Sequence, residues 1–209
     1  MPLPHLHQVG PHRLLFVMAT EHEYGPALRA RIRPLITGVG PIEAAAGTAA
    51  ALATLAAADA LPDAVVSLGS AGSRRLPLGT VYQVSDVSWR DIDASPLGFA
   101  RGVTPFADFP AVVTLATPLA GVPTATLSTG ADMVVGAAYD AIDADLVDME
   151  TYAVWRACAR FDVPLIGLRG VSDGVADGER LDWTALLGLL DERLAAAVGE
   201  LVEVGISVC

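Results

Sequence analysis

The chain has 209 residues, 53% of them hydrophobic, and 24 acidic against 13 basic side chains, a formal net charge of −11. That length fits one α/β domain with a sizeable core, and the apolar content excludes general disorder. The acidic balance, with no basic stripe, excludes a nucleic-acid partner and favours a neutral or cationic small molecule. No apolar run reaches the roughly 18 residues that a membrane span needs. Residues 1–12 hold His5, His7 and His12 among Pro and Gly. They are expected to be a flexible lead-in to a domain over residues 13–209, rather than a metal site, because no carboxylate or cysteine joins them at ligand spacing. They also lack the charged start and long apolar core of a secretory signal. Cys158 and Cys209 suggest no disulfide framework, so a cytoplasmic location is the default.

Residues 13–18 (RLLFVM) predict a first strand, followed by Glu21, His22 and Glu23 and a helix over residues 24–31. Acidic residues at that point can simply complement a helix dipole. The functional reading is that one of them projects over the sheet edge as a general base. Residues 34–37 predict a short strand, then Gly38-Val39-Gly40-Pro41 a tight turn opening an alanine-rich helix over residues 42–58. A lone G-x-G is a weak phosphate signal. A third strand over residues 64–68 runs into Gly69-Ser70-Ala71-Gly72-Ser73, where small residues suit either a turn or contact between ligand and backbone. Further strands are predicted over residues 80–87 and 122–128. Between them, residues 95–110 form a Pro/Gly-rich loop carrying Phe99, Phe106 and Phe109, of the kind that serves as a lid or an oligomer contact. The last segment starts at Asp182, a candidate N-cap, and shows a helical apolar face from Trp183 to Val202.

The most informative stretch is residues 143–178. It reads as a strand ending at Glu150, a helix over residues 151–161, and a strand over residues 164–168 that closes in Arg169, Ser172 and Asp173. As a βαβ unit, its two strands would run parallel and present Glu150 and Asp173 at one sheet edge, where ligands of open α/β sheets bind.

Taken in order, several pieces resemble the nucleoside phosphorylase/nucleosidase superfamily, most of all its methylthioadenosine/S-adenosylhomocysteine nucleosidase branch. They are Ala19-Thr20-Glu21-His22-Glu23, Thr37-Gly38-Val39-Gly40, Gly69-Ser70-Ala71-Gly72, Arg90-Asp91-Ile92-Asp93, Asp148-Met149-Glu150 and Arg169-Gly170-Val171-Ser172-Asp173. The resemblance implies a single α/β domain with a central mixed sheet flanked by helices, a homodimer, and cleavage of a purine nucleoside's N-glycosidic bond without metal or organic cofactor. It implies that Glu23 is the water-activating base, that Ser70 and Arg169 hold the water, and that Met149 and Glu150 bind ribose. Asp173 then protonates the purine at N7 and Ser172 orients it. Ala71 and Gly72 border the substrate, and Met133 and Val134 pack on the base. This constellation makes chemical sense: the leaving purine needs a proton, the water must lose one, and carboxylates stabilise an oxocarbenium-like sugar.

The sequence departs from the family pattern in three places. A hairpin before Leu35 is missing, the link from Met133 to Glu150 is short, and the loop on the 5′ side differs, which leaves the 5′ substituent open. Two rivals remain. A phosphorylase of the same fold would need cations around phosphate, for which Arg74 and Arg75 are available, but the acidic segment at residues 20–23 would repel that anion. A non-catalytic nucleoside-binding protein would have lost Glu23, Glu150 or Asp173, and all three are present.

Overall fold

A computed structural model describes residues 3–174 and 183–204, with side chains through Leu201. Strands β1 (His7–Val9), β2 (His12–Met18), β3 (Leu35–Ile36), β4 (Ala64–Gly72), β5 (Val81–Trp89), β6 (Val112–Thr114), β7 (Thr124–Thr129), β8 (Leu146–Asp148) and β9 (Leu165–Asp173) form one mixed sheet. Helices α1 (Pro26–Arg29), α2 (Pro41–Ala57), α3 (Thr151–Cys158) and α4 (Leu187–Val204) flank it.

The period of two along the strands assigns residues to the two faces. Leu15 and Val17 of β2 join Val65, Leu165 and Val171 in a core under α2 and α3, which contribute Leu52, Leu55, Val154 and Cys158. Leu14, Phe16 and Met18 point the other way, with Val66, Leu68, Ile166 and Leu168, to meet Leu28 of α1 and Leu190, Leu194, Val198 and Leu201 of α4. Strands buried on both faces read as unbroken apolar runs, which is why residues 13–18 and 64–68 show no alternation.

The pairings close into a ring. β4 pairs with β9 in parallel, β9 with β5 antiparallel, β5 with β7 and β7 with β8 in parallel, and β8 returns to β4 antiparallel through Gly72 and Val147. The βαβ expectation for residues 143–173 is therefore corrected: β8 and β9 lie on opposite flanks of β4 and run in opposite senses. Glu150 and Asp173 still meet, because Gly72, the last residue of β4, pairs with both Val147 of β8 and Asp173 of β9.

Other expectations shift in extent. Residues 7–9 of the expected lead-in are a sheet strand, held by β2 and by the Arg33 N–H, which donates to His7 Nε2 at 2.9 Å. No cluster of metal-ligating side chains occurs among the described residues. The Gly-Ser-Ala-Gly segment continues β4 rather than turning, because β9 supplies it with a partner strand throughout. The helix expected over residues 24–31 shortens to α1, and β6 was not foreseen, lying between the expected loop over residues 95–110 and the strand expected over residues 122–128. Trp183–Leu186 is a 3-10 turn ahead of α4, while Asp182 and Cys209 lie outside the described residues. No described helix is long and apolar enough to cross a membrane.

Candidate active site

Beyond the end of β2, the Thr20 side chain accepts a hydrogen bond from the His22 N–H and starts a 3-10 turn over Glu21–Glu23. The turn separates the two acidic residues. Glu21 points outward to Arg29 at 2.5 Å, and both side chains of that ion pair are more than half exposed. Glu23 is buried, and its Oε1 accepts from the backbone N–H of Ser70 at 2.9 Å and from its hydroxyl at 2.5 Å. Behind it, buried Asp191 of α4 accepts from the N–H groups of Ala27 (2.8 Å) and Leu28 (3.0 Å). The short helix α1 has no local side-chain cap, so this distant carboxylate satisfies its orphan donors. Gly25 is required there, since a Cβ would lie 2.5 Å from the Asp191 carboxylate.

The strand β9 ends in Ser172 and Asp173. Ser172 Oγ donates to Asp173 Oδ1 at 2.5 Å, and the Ser73 N–H fixes the strand end on the Asp173 carbonyl at 2.9 Å. Burial pushes the Asp173 carboxyl above the usual carboxylate range, while the Ser172 hydrogen bond pulls it partly back.

Between these lies Glu150, one residue past the Asp148–Met149 end of β8. Its Oε1 accepts from the Gly40 N–H at 2.8 Å. Gly38 and Gly40 have φ of +99° and +93°, a backbone path that L side chains rarely adopt, and it aims that N–H across the gap. Burial, then the nearby Asp148 charge, push Glu150 up to about 7, against the lowering effects of the Gly40 N–H and Arg169. Asp148 itself is saturated. It accepts from Thr129 Oγ1 (2.6 Å), Thr151 N–H (3.0 Å), Thr151 Oγ1 (2.5 Å) and Arg169 Nε (3.0 Å). The rest of the Arg169 guanidinium is engaged by the Ser67 and Leu168 carbonyls and by Ser67 Oγ. Arg169 therefore contributes fixed positive charge beneath Glu23 and Glu150 rather than a free donor.

Glu23, Glu150 and Asp173 share one cavity of about 280 Å³. Ala71, Gly72, Met133, Val134, Met149 and Trp183 supply its apolar surface, with Val39 at the side. A second space of about 10 Å³ adjoins it, bounded by Glu23, Ser70, Glu150, Arg169, Thr37 and Ser67. That is about the room one water needs, and the polar lining gives it partners.

The sequence and the fold have relatives. A sequence profile described as the phosphorylase superfamily matches residues 111–203. The 5'-methylthioadenosine/S-adenosylhomocysteine nucleosidase of Haemophilus influenzae (strain PittEE) is 26% identical over 187 residues, covering 81% of this chain and 80% of that one. Among solved structures, the nucleosidase of that name from Neisseria meningitidis, bound to methylthio-immucillin-A, superposes with a TM-score of 0.74 at 21% identity, covering 91% of this chain and 98% of its own. The futalosine hydrolase of Helicobacter pylori strain 26695 gives 0.75 at 17%, covering 91% and 97%. In sequence and in fold the chain is similar to the phosphorylase superfamily.

The superfamily fold brings together nearly every residue singled out in the sequence. Glu23, Ser70, Ala71, Gly72, Met133, Val134, Met149, Glu150 and Asp173 border the main cavity. Arg169 borders only the small chamber, and Ser172 touches Asp173 from behind. Sequence reasoning gave no site role to Arg90, whose guanidinium ties the Ser128, Asp148 and Asp132 carbonyls together at the cavity wall. It also gave none to Asp148, Gly40, Trp183 or Tyr139. Gly40 had a readable signal, a glycine before a helix-opening proline. Trp183 and Tyr139 had none, since a single aromatic in an apolar segment reads as core.

Proposed function

We propose that the protein hydrolyses the N-glycosidic bond of a purine nucleoside, a 5′-substituted adenosine such as methylthioadenosine or S-adenosylhomocysteine. The observation that carries this reading is the convergence of Glu23, Glu150 and Asp173 on one cavity with an apolar wall. In the proposed reaction, a water in the small chamber gives a proton to Glu23 as its oxygen bonds to C1′ of the sugar. The C1′–N9 bond breaks, its electron pair passes to the purine, and Asp173 delivers a proton to N7. The products are the free base and the 5-substituted ribose. Glu150 accepts from the sugar hydroxyls, Met149 packs on the ribose, and Val134 and Met133 border the base. Ser70 holds Glu23 in place, its N–H and hydroxyl both donating to Oε1.

Charge supports water over phosphate as acceptor. Among the described residues the cavity is lined by Glu23, Asp132, Asp148, Glu150 and Asp173 against one cation, Arg90, whose guanidinium already binds three carbonyls. Arg74 pairs with Asp140 on the surface instead. A homodimer belongs to the same reading, supported by Val39 and Ile42, which are 57% and 79% exposed at the turn beside the cavity. The deciding assay incubates the protein with methylthioadenosine, S-adenosylhomocysteine, adenosine and inosine, with and without phosphate, and follows free base. Phosphate-independent adenine release is expected. Strict dependence on phosphate overturns hydrolysis, and no release from any of the four overturns the substrate class.

A further inference from the structure

Tyr139 sits in the 3-10 segment Gly136–Ala141, within the shortened link between the base wall and β8. The residue is 4% exposed, and its hydroxyl is fully buried without a hydrogen-bond partner among the described residues. A phenylalanine would fill the same space without stranding a polar atom, so the hydroxyl calls for a reason. Its surroundings supply one. A Cβ built on Gly72 would lie 2.4 Å from the Tyr139 hydroxyl oxygen and 3.0 Å from Asp173 Oδ2. The two oxygens thus flank one point above Gly72, and only the missing side chain of that glycine lets them do so.

We propose that Tyr139 is a positioning residue for the acid, its buried hydroxyl held in reserve to donate to Asp173 Oδ2 once that carboxyl has given its proton to the purine. This rests on the assignment of Asp173 as the acid. The two Asp173 oxygens are supported unequally. Oδ1 already has the Ser172 hydroxyl, whereas no described donor reaches Oδ2. While Asp173 is neutral it needs no second donor. As the proton leaves, negative charge appears in a buried place, and a donor there stabilises it most strongly. A small shift of the ring or the carboxyl brings the tyrosine hydroxyl into donating distance, and its hydrogen can then turn toward the nascent carboxylate.

The neighbouring charges fit this role. Tyr139 feels Asp173 on one side and Arg90, from the end of β5, on the other. Arg90 is itself surrounded by Asp91, Asp132 and Asp148. The nearby Arg74–Asp140 pair is mutually neutralised at the surface. Burial and the Asp173 charge keep the phenol protonated, pushing it up to about 12, so it stays a donor across the working range.

The test is Tyr139→Phe, assayed for base release from methylthioadenosine beside wild type and Asp173→Asn. The variant is expected to melt no lower than wild type, because it loses only an unbonded hydroxyl. Turnover should fall about tenfold with KM nearly unchanged, as expected when a general acid becomes weaker. The alkaline limb of the kcat–pH profile should move upward, since removing a donor to the carboxylate raises its pKa. The acid limb should stay. Placing 3-fluorotyrosine, a stronger donor, at the same position should move the alkaline limb down. Wild-type kcat and an unmoved alkaline limb in Tyr139→Phe, with Asp173→Asn inactive, overturn the proposal alone. Near-normal turnover in Asp173→Asn overturns the acid assignment and takes the proposal with it.

Discussion

The two sides of the cavity are built on opposite plans. On the Glu23 side the supports are dense: Ser70 donates twice to one carboxylate oxygen, Thr20 caps its turn, and Asp191 closes the helix that follows. On the Asp173 side one oxygen has a single donor, Ser172, and the nearby Tyr139 hydroxyl has no partner among the described residues. The difference follows from the tasks proposed for them. A base must start ionised, and donated hydrogen bonds favour the charged form. An acid must start neutral, and burial with few donors favours that.

The largest expected effects come from breaking either end. Glu23→Gln leaves the shape and removes the proton acceptor, and Asp173→Asn removes the proton donor. Each should lower kcat by about 10²- to 10⁴-fold, read as adenine release from methylthioadenosine. A Glu23→Gln enzyme close to wild type would mean that the densely supported side serves structure rather than chemistry.

A smaller loss tests how far the rigidity of the base side extends. In Asp191→Asn one acceptor oxygen becomes an NH₂ group facing the N–H of Ala27 or Leu28, so a helix cap that does not line the cavity is damaged. The buried donor left without a partner should cost about 1–3 kcal/mol of stability, measured by urea unfolding. If the cap also positions Glu23, kcat should drop several-fold while KM holds. Stability lost without any change in kcat would confine Asp191 to folding.

How much of this was legible in the sequence differs between the two sides as well. The carboxylates were readable because strands announce themselves by apolar runs and Glu23, Glu150 and Asp173 stand just beyond three of them. Their meeting was reached through a βαβ picture that the fold does not follow. Nothing local in residues 64–72 shows that Gly72 pairs on both flanks, since ring closure is a property of long-range pairing. The supports were harder still. Asp191 lies in an amphipathic helix where an acidic residue reads as solvent-facing, and its partners are 163 and 164 residues away. Arg169 could be read as a cation near the site, but its neutralisation by Asp148 depends on where β8 crosses.

Glu150 stands between the two plans and gives the subtlest prediction. It has one backbone donor, as on the acid side, yet its proposed task is to accept from sugar hydroxyls, which needs the ionised form. Held up to about 7 by burial and by Asp148, it is largely protonated in the empty site below neutrality. A nucleoside hydroxyl donating to it favours the carboxylate, so binding should expel up to one proton per site below about pH 7, and affinity should weaken as the pH falls. Calorimetry with a non-hydrolysable 5′-substituted adenosine analogue, in two buffers of different ionisation enthalpy, reads that proton directly. The same shift acts on folding. Because the folded pKa lies above the ordinary value of 4.5, the group's contribution to stability is fully present below that value and is lost as pH rises through about 7. Glu150→Gln should flatten the fall in stability across this window and abolish the proton release together. If the release persists in Glu150→Gln, the proton comes from another carboxyl, and Asp173, also raised by burial, is the first to examine.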